Sequence, residues 1–217
     1  MFRDRTDAGE QLAQALISYK GQPVVVYALP RGGVVLGVEV ARVLDAPLDL
    51  IVVRKIGHPL SPEYAIGAVA EDGYVLTNPA EMAALDERWI EGAAAAELQE
   101  ARRRRALFMR GRSPAAVKDK IAIIVDDGLA TGLTMQAAIH EIRNRGPREV
   151  VVAVPVAAAE TANRLRPEVD KLVVLYIPSG LFGAVGAFYR CFDQVSDDEV
   201  ILLMTQPLAA GLSNEET

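Results

Sequence analysis

The chain has 217 residues, 51% of them hydrophobic, and a formal net charge of −6, enough apolar content to bury one substantial core. The acidic balance argues against general nucleic-acid binding. No apolar run approaches the roughly 20 residues of a membrane span, MFRDRTDAGE lacks a signal peptide's apolar centre, and the lone Cys191 permits no internal disulfide, so a cytoplasmic protein is expected.

Residues 7–19 place Leu12, Leu16 and Tyr19 at helical spacing, predicting a first amphipathic helix. Val24 to Leu29 reads as a buried strand, followed by the turn Pro30-Arg31-Gly32-Gly33 and a helix from Val34 to Leu44. A basic residue before two glycines lets a backbone approach a ligand closely, and an arginine fork with exposed amides suits a diphosphate. Gly32 to Gly37 has the spacing of a P-loop, but Val38 and Glu39 stand where Lys and Ser/Thr are required.

Leu48 to Ile56 is the next strand, ending in Val53-Arg54-Lys55-Ile56-Gly57-His58-Pro59. Two cations at the end of a strand need an anion or solvent. A lone loop histidine such as His58 is more often plain surface than functional, and Glu63 and Glu71 are weak candidates for metal or base contacts. Ala65–Ala70 and Tyr74–Thr77 predict a hairpin turning at Glu71-Asp72-Gly73. Ala80 to Met109 is rich in Ala, Glu and Arg and predicts helix with a break near Gly92. The run Arg102–Arg105 fans around that helix instead of lining one face, as a solvated or subunit-contacting surface does.

Ile121 to Val125, Val150 to Val156 and Leu172 to Ile177 are further strands, separated by helices at 132–145 and about 159–169. This alternation predicts an α/β fold with a parallel central sheet covered by helices on both faces. The most informative stretch is IAIIVDDGLATGLT, Ile121 to Thr134. A strand apolar on both faces ends in Asp126 and Asp127, where open α/β sheets bind ligands. The loop Gly128-Leu129-Ala130-Thr131-Gly132-Leu133-Thr134 then offers amides and hydroxyls at a helix N-terminus, suited to an anion. One segment can therefore hold something hydroxylated beside something phosphorylated. Pro178 to Tyr189 concentrates aromatics, including Phe182, Phe188 and Tyr189, on which a flat base could stack or which could simply pack the C-terminal helices. Ser196 and Glu199 form a capping-box pattern for a last helix.

VDDGLATGLT resembles the 5-phosphoribosyl-1-diphosphate (PRPP) motif of type I phosphoribosyltransferases, and is especially similar to its form in adenine phosphoribosyltransferases. Arg54-Lys55-Ile56-Gly57 resembles the R-K-x-G turn of the same enzymes. From Phe2-Arg3-Asp4-Arg5 onward the whole chain looks like stand-alone bacterial members whose acceptor base is often unassigned. The resemblance implies one domain over 1–217, with a helical insertion at 78–113, a hood for the base at 178–205 and a flexible tail at 206–217. The insertion falls where the family carries a mobile active-site loop, but is longer and more helical.

The resemblance further implies catalytic roles for Asp126 and Asp127, which would bind the ribose hydroxyls and reach Mg²⁺ indirectly, through ribose or water. Ala130, Thr131, Gly132, Leu133 and Thr134 would hold the 5-phosphate. Arg31, Gly32, Gly33, Arg54 and Lys55 would hold pyrophosphate, the first turn often through a cis peptide, and Phe182, Phe188 and Tyr189 the base. The implied reaction transfers 5-phosphoribosyl from PRPP to a nucleobase-like acceptor, releasing pyrophosphate, in a homodimer with Mg²⁺ as cofactor. A PRPP- or nucleotide-sensing regulator without turnover, or an RNA-binding regulator using the 102–112 basic segment, would share the fold.

Overall fold

Alternate residues of a strand point to opposite faces, and in this chain both faces are apolar. In β1 (Val24–Ala28) and β6 (Ile121–Val125) every residue is buried. Val24, Val26, Ile121 and Ile123 pack into one core, while Val25, Tyr27, Ala122 and Ile124 pack into another. A strand hidden on both sides belongs inside a helix-covered parallel sheet. The computed structural model, which describes residues 1–77, 81, 85–180 and 182–206, has that sheet. Its five strands run in the order β2 (Leu48–Leu50), β1, β6, β7 (Glu149–Val156), β8 (Lys171–Tyr176), all parallel.

Helices α1 (Arg5–Ala15) and α2 (Gly32–Leu44) cover one face with α6 (Asp197–Thr205). Helices α4 (Leu133–Asn144) and α5 (Ala159–Leu165) cover the other. A second sheet, antiparallel, joins β3 (Val53–His58), β4 (Ser61–Ala70) and β5 (Val75–Thr77). It is sandwiched between α4, through Ala68, Ala70 and Ala137, and the long α3 (Glu87–Met109), through Ile56, Ile66, Val69 and Leu98.

Four sequence expectations are corrected. Leu48 to Ile56 is two strands: the chain leaves the parallel sheet after Leu50 and joins the antiparallel one at Val53. Helix α3 has no break at Gly92, where a Cβ would meet open space and nothing forces a bend. Its N-terminus is set instead by Asp86, whose carboxylate accepts from the amides of Arg88 and Trp89. The first helix stops at Ala15 and a 3₁₀ turn carries Ile17–Tyr19. Helix α5 ends at Leu165, and Pro167 lies in the 3₁₀ turn that follows. Ser196 and Glu199 do form a reciprocal capping box. The tail expected over 206–217 lies outside the described residues beyond Gln206, as do 78–80 and 82–84 of the insertion.

An ion cluster fastens α3 to the core. Arg105 reaches Asp49 at 2.9 Å, Glu71 at 3.1 Å and the Leu50 carbonyl at 2.5 Å. Arg145 of the α4 terminus bonds Glu71 at 3.2 Å and Glu141. Asp49 also accepts from the Ala115 amide at 2.7 Å. Two buried acids, Asp49 and Glu141, and the partly buried Glu71 thus face two arginines. Burial and the Glu71 charge push the Glu141 carboxyl up to about 7, although Arg145 opposes this. Glu71, read above as a possible metal or base contact, is consumed in this cluster. The side chain of Glu63 lies outside the described residues.

Candidate active site

Strand order reverses at β1: the chain crosses from β1 to β2 on one side, and β6, β7 and β8 extend on the other. Such a switch point opens a crevice at the carboxyl ends of the strands. Ala28 pairs with Val125, so Leu29-Pro30-Arg31 and Asp126-Asp127 emerge side by side. They line a cleft of about 820 Å³ together with Gly32, Arg54, Lys55, Ala130, Thr131, Gly132 and Thr134. The peptide between Pro30 and Arg31 is cis.

The two helices that start in this cleft have no side-chain cap. Their N-cap residues are Arg31 for α2 and Gly132 for α4, the latter at φ +78°. Helices α1, α3 and α6 are each capped by a side chain, whereas the short α5 is not. The open first-turn amides at α2 and α4 are free to meet an anion, reinforced by the helix dipole. Gly132 is required twice: its φ suits glycine, and a Cβ would lie 2.6 Å from Thr161 Cγ2. Helix α5 steadies the loop, Thr161 donating to the Ala130 carbonyl at 2.5 Å and Arg164 to that of Thr131.

The acid pair is half-buried and tightly held. Asp127 Oδ2 accepts from Arg5 Nε at 2.9 Å, and the Asp127 amide donates to Asp126 Oδ1 at 2.8 Å. Desolvation raises both carboxyls, that of Asp126 well above the usual range. The neighbouring Asp127 charge raises Asp126 further, while Lys55 and Arg5 oppose the shift. For Asp127 the opposing influence is the Arg5 hydrogen bond and charge. Neutralising one acid or bringing up a cation relieves such a pair. Among the described residues no three His, Cys, Asp or Glu side chains are arranged to hold a metal.

Several expected site residues lie together in the cleft, but not all serve in the same way. Arg54 lines it yet is paired with Glu97 of α3 at 2.8 Å. Lys55 is exposed. Arg31 leans toward Asp197 at the start of α6, at 3.5 Å. Gly33 does not line the cleft; a Cβ there would lie 2.8 Å from the Val125 carbonyl and 3.0 Å from Asp126 Cα, so it permits close packing beneath the acids. Leu133 turns its side chain into the Ala68–Ala70–Ala137 cluster, leaving its backbone for the loop.

The aromatics expected to hold a base are not cleft walls. Tyr189 is buried, its hydroxyl donating to the Asp127 carbonyl at 2.6 Å, and burial raises its pKa. Phe182 and Phe188 stack on each other at 5.3 Å. The C-terminal segment reaches the cleft through Val185 instead. The remaining wall comes from α3, through Trp89, Ala93, Ala96 and Glu97, with His58 and Pro62 nearby. Sequence reasoning missed Trp89 and Arg5, and the arginine run is not a free basic face. Arg103 and Arg104 bond Glu100, whose carboxyl falls to about 2, and Arg105 is consumed internally. No helix among the described residues is long and apolar enough to cross a membrane.

A doubly covered parallel sheet, with two adjacent half-buried acids and two uncapped helix starts at its switch point, defines an α/β protein of the open-sheet class, whose ligand crevices lie at the carboxyl ends of the strands. Residues 3–180 match the phosphoribosyl transferase domain, and the chain belongs to that family, with the type I fold. A Thermus thermophilus protein of known crystal structure is 43% identical, with a TM-score of 0.79 over 94% of this chain and 97% of that one. An Aquifex aeolicus structure, 16% identical with a TM-score of 0.50, covers 80% of this chain and 74% of its own and shares the fold alone. Two Mycobacterium tuberculosis sequences, named only provisionally as phosphoribosyl transferases, are 45% identical over 206 residues. These residues are 94% of this chain and 46% of theirs, so the chain spans about half the length of the curated relatives it matches.

Proposed function

We propose that the chain transfers the 5-phosphoribosyl group of PRPP to a nucleobase-like acceptor and releases pyrophosphate. The observation that carries this is that one cleft brings three kinds of group together. It is lined by Gly32 at the uncapped start of α2 with Lys55, by Asp126 and Asp127, and by Ala130, Thr131, Gly132 and Thr134 at the uncapped start of α4. PRPP carries three matching parts: a diphosphate, ribose hydroxyls and a 5-phosphate.

The 5-phosphate would accept hydrogen bonds from the amides and hydroxyls of Ala130, Thr131, Gly132 and Thr134, with the Leu133 amide between them. Asp126 and Asp127 would accept from the ribose 2- and 3-hydroxyls. As the C1–O bond breaks, positive charge would grow on the ribose, and the two carboxylates would stabilise it. Arg31, Lys55 and the Gly32 backbone would take the pyrophosphate, joined by Arg54 when it leaves Glu97.

Magnesium prefers phosphate oxygens and keeps its waters, so two adjacent carboxylates fit an ion carried in on the substrate, which would neutralise the departing charge. Trp89 offers an aromatic face for a flat acceptor. A cytoplasmic homodimer completes the proposal, motivated by the single cysteine and the family resemblance. Incubation with PRPP, Mg²⁺ and a panel of purine and pyrimidine bases, following pyrophosphate, tests the reaction. Release with one base is expected. PRPP binding without release for any acceptor would favour a sensor instead.

A further inference from the structure

The two acids of the cleft are not equivalent. Asp127 is fixed from three directions: Arg5 Nε holds its carboxylate, Tyr189 holds its carbonyl, and the carboxylate fills the space beside Gly32 that a Cβ would need. Asp126 takes its hydrogen bond from the Asp127 backbone amide instead. Arg5 is itself held by further contacts. Its NH1 donates to the Asp193 carbonyl at 2.6 Å, and its guanidinium lies 3.8 Å over the Phe192 ring.

The segment carrying Arg5 is laid along the C-terminal segment. The Phe2 amide donates to the Phe188 carbonyl, the Arg190 amide to that of Phe2, and the Cys191 amide to that of Arg3, each at 2.9 Å. Phe2 also packs on Tyr189 with ring centres 5.4 Å apart. The N-terminal segment and the 188–193 segment are thus joined, and both converge on Asp127.

We infer that Arg5 is a positioning residue for the ribose site: by holding Asp127 it fixes the orientation in which that carboxylate meets the ribose hydroxyls. This rests on the PRPP reading above. Two adjacent carboxylates repel, and a half-buried one deprived of its cation loses the charge that orients it. The Arg5–Asp127 pair, with side chains only 12% and 17% exposed, is shielded from the solvent screening that makes surface pairs weak. A planar guanidinium can serve Asp127, the Asp193 carbonyl and the Phe192 ring together, which a lysine ammonium cannot.

The test is a double-mutant cycle read by titration calorimetry on the whole chain, with ribose 5-phosphate and with magnesium pyrophosphate as probes. Arg5→Gln is expected to weaken ribose 5-phosphate binding by about tenfold, the scale of one charge-assisted hydrogen bond. Pyrophosphate binding should stay within about twofold, which also shows that the variant is folded. Because Arg5 acts through Asp127, the double variant with Asp127→Asn should bind no more weakly than Asp127→Asn alone. Arg5→Lys should recover only part of the loss.

Unchanged ribose 5-phosphate binding in Arg5→Gln would overturn the inference, as would single effects that multiply in the double variant. So would equal loss of both probes in both Arg5 variants, the mark of a merely structural tie. Wild-type protein that binds neither probe would overturn the PRPP reading itself and the inference with it.

Discussion

Substituting Glu141 by Gln tests the ion cluster that seats the cleft wall. The Glu141 carboxyl is buried against Glu71, and its Oε2 has no hydrogen-bond partner. Its pKa rises from an ordinary 4.5 to about 7. Between those values the folded chain keeps a proton that the unfolded chain has released, so raising the pH removes stability from the fold. At about 1.4 kcal/mol per tenfold change in proton affinity, the interval amounts to a ceiling of roughly 3 kcal/mol. Glutamine cannot ionise and still offers an oxygen to Arg145, which retains Glu71 at 3.2 Å. Three acids against two arginines become two against two. Urea unfolding of both proteins from pH 5 to pH 8 should therefore show the variant gaining on wild type as pH rises, with most of the divergence complete by about pH 7. Parallel curves, or a gap that moves the other way, would refute the reasoning.

Gly32→Ala would drive a methyl into Asp127 Oδ2; denaturation should show a loss of about 1–3 kcal/mol, and calorimetry a weakened ribose 5-phosphate site. Asp126→Asn should slow pyrophosphate release about a hundred- to thousandfold, as loss of one preorganised transition-state contact does elsewhere, with the fold intact by circular dichroism. Trp89 is the only tryptophan and lines the cleft, so PRPP binding should change its emission. Binding seen by calorimetry with no change in emission would place the ligand away from the α3 wall.

The layered fold was legible because β1 and β6 are apolar at every position, a pattern that only a doubly covered strand tolerates. The acids and the Thr131–Thr134 loop were legible because their spacing is local. What failed was non-local. The apolar run Leu50 to Val53 spans the point where the chain changes sheets, so periodicity could not mark it. Arg5 carries no signal in a charged N-terminus, since its partner lies 122 residues away. Arg105 read as part of a solvated or subunit-contacting face, and Glu71 as a weak metal or base contact, because the pairing of their charges depends on partners from separate elements. The aromatics of 182–189 offered composition without direction: Tyr189 turns inward, and Trp89, read only as part of a helix, faces the cleft.

The central claim is that this cleft grips PRPP by both ends. Titration of the wild-type chain with PRPP and Mg²⁺, repeated with ribose 5-phosphate and then pyrophosphate present, measures that directly. One site per chain, competed by each half-ligand alone, is the predicted result. Absence of PRPP binding, or binding that neither half-ligand displaces, would contradict it.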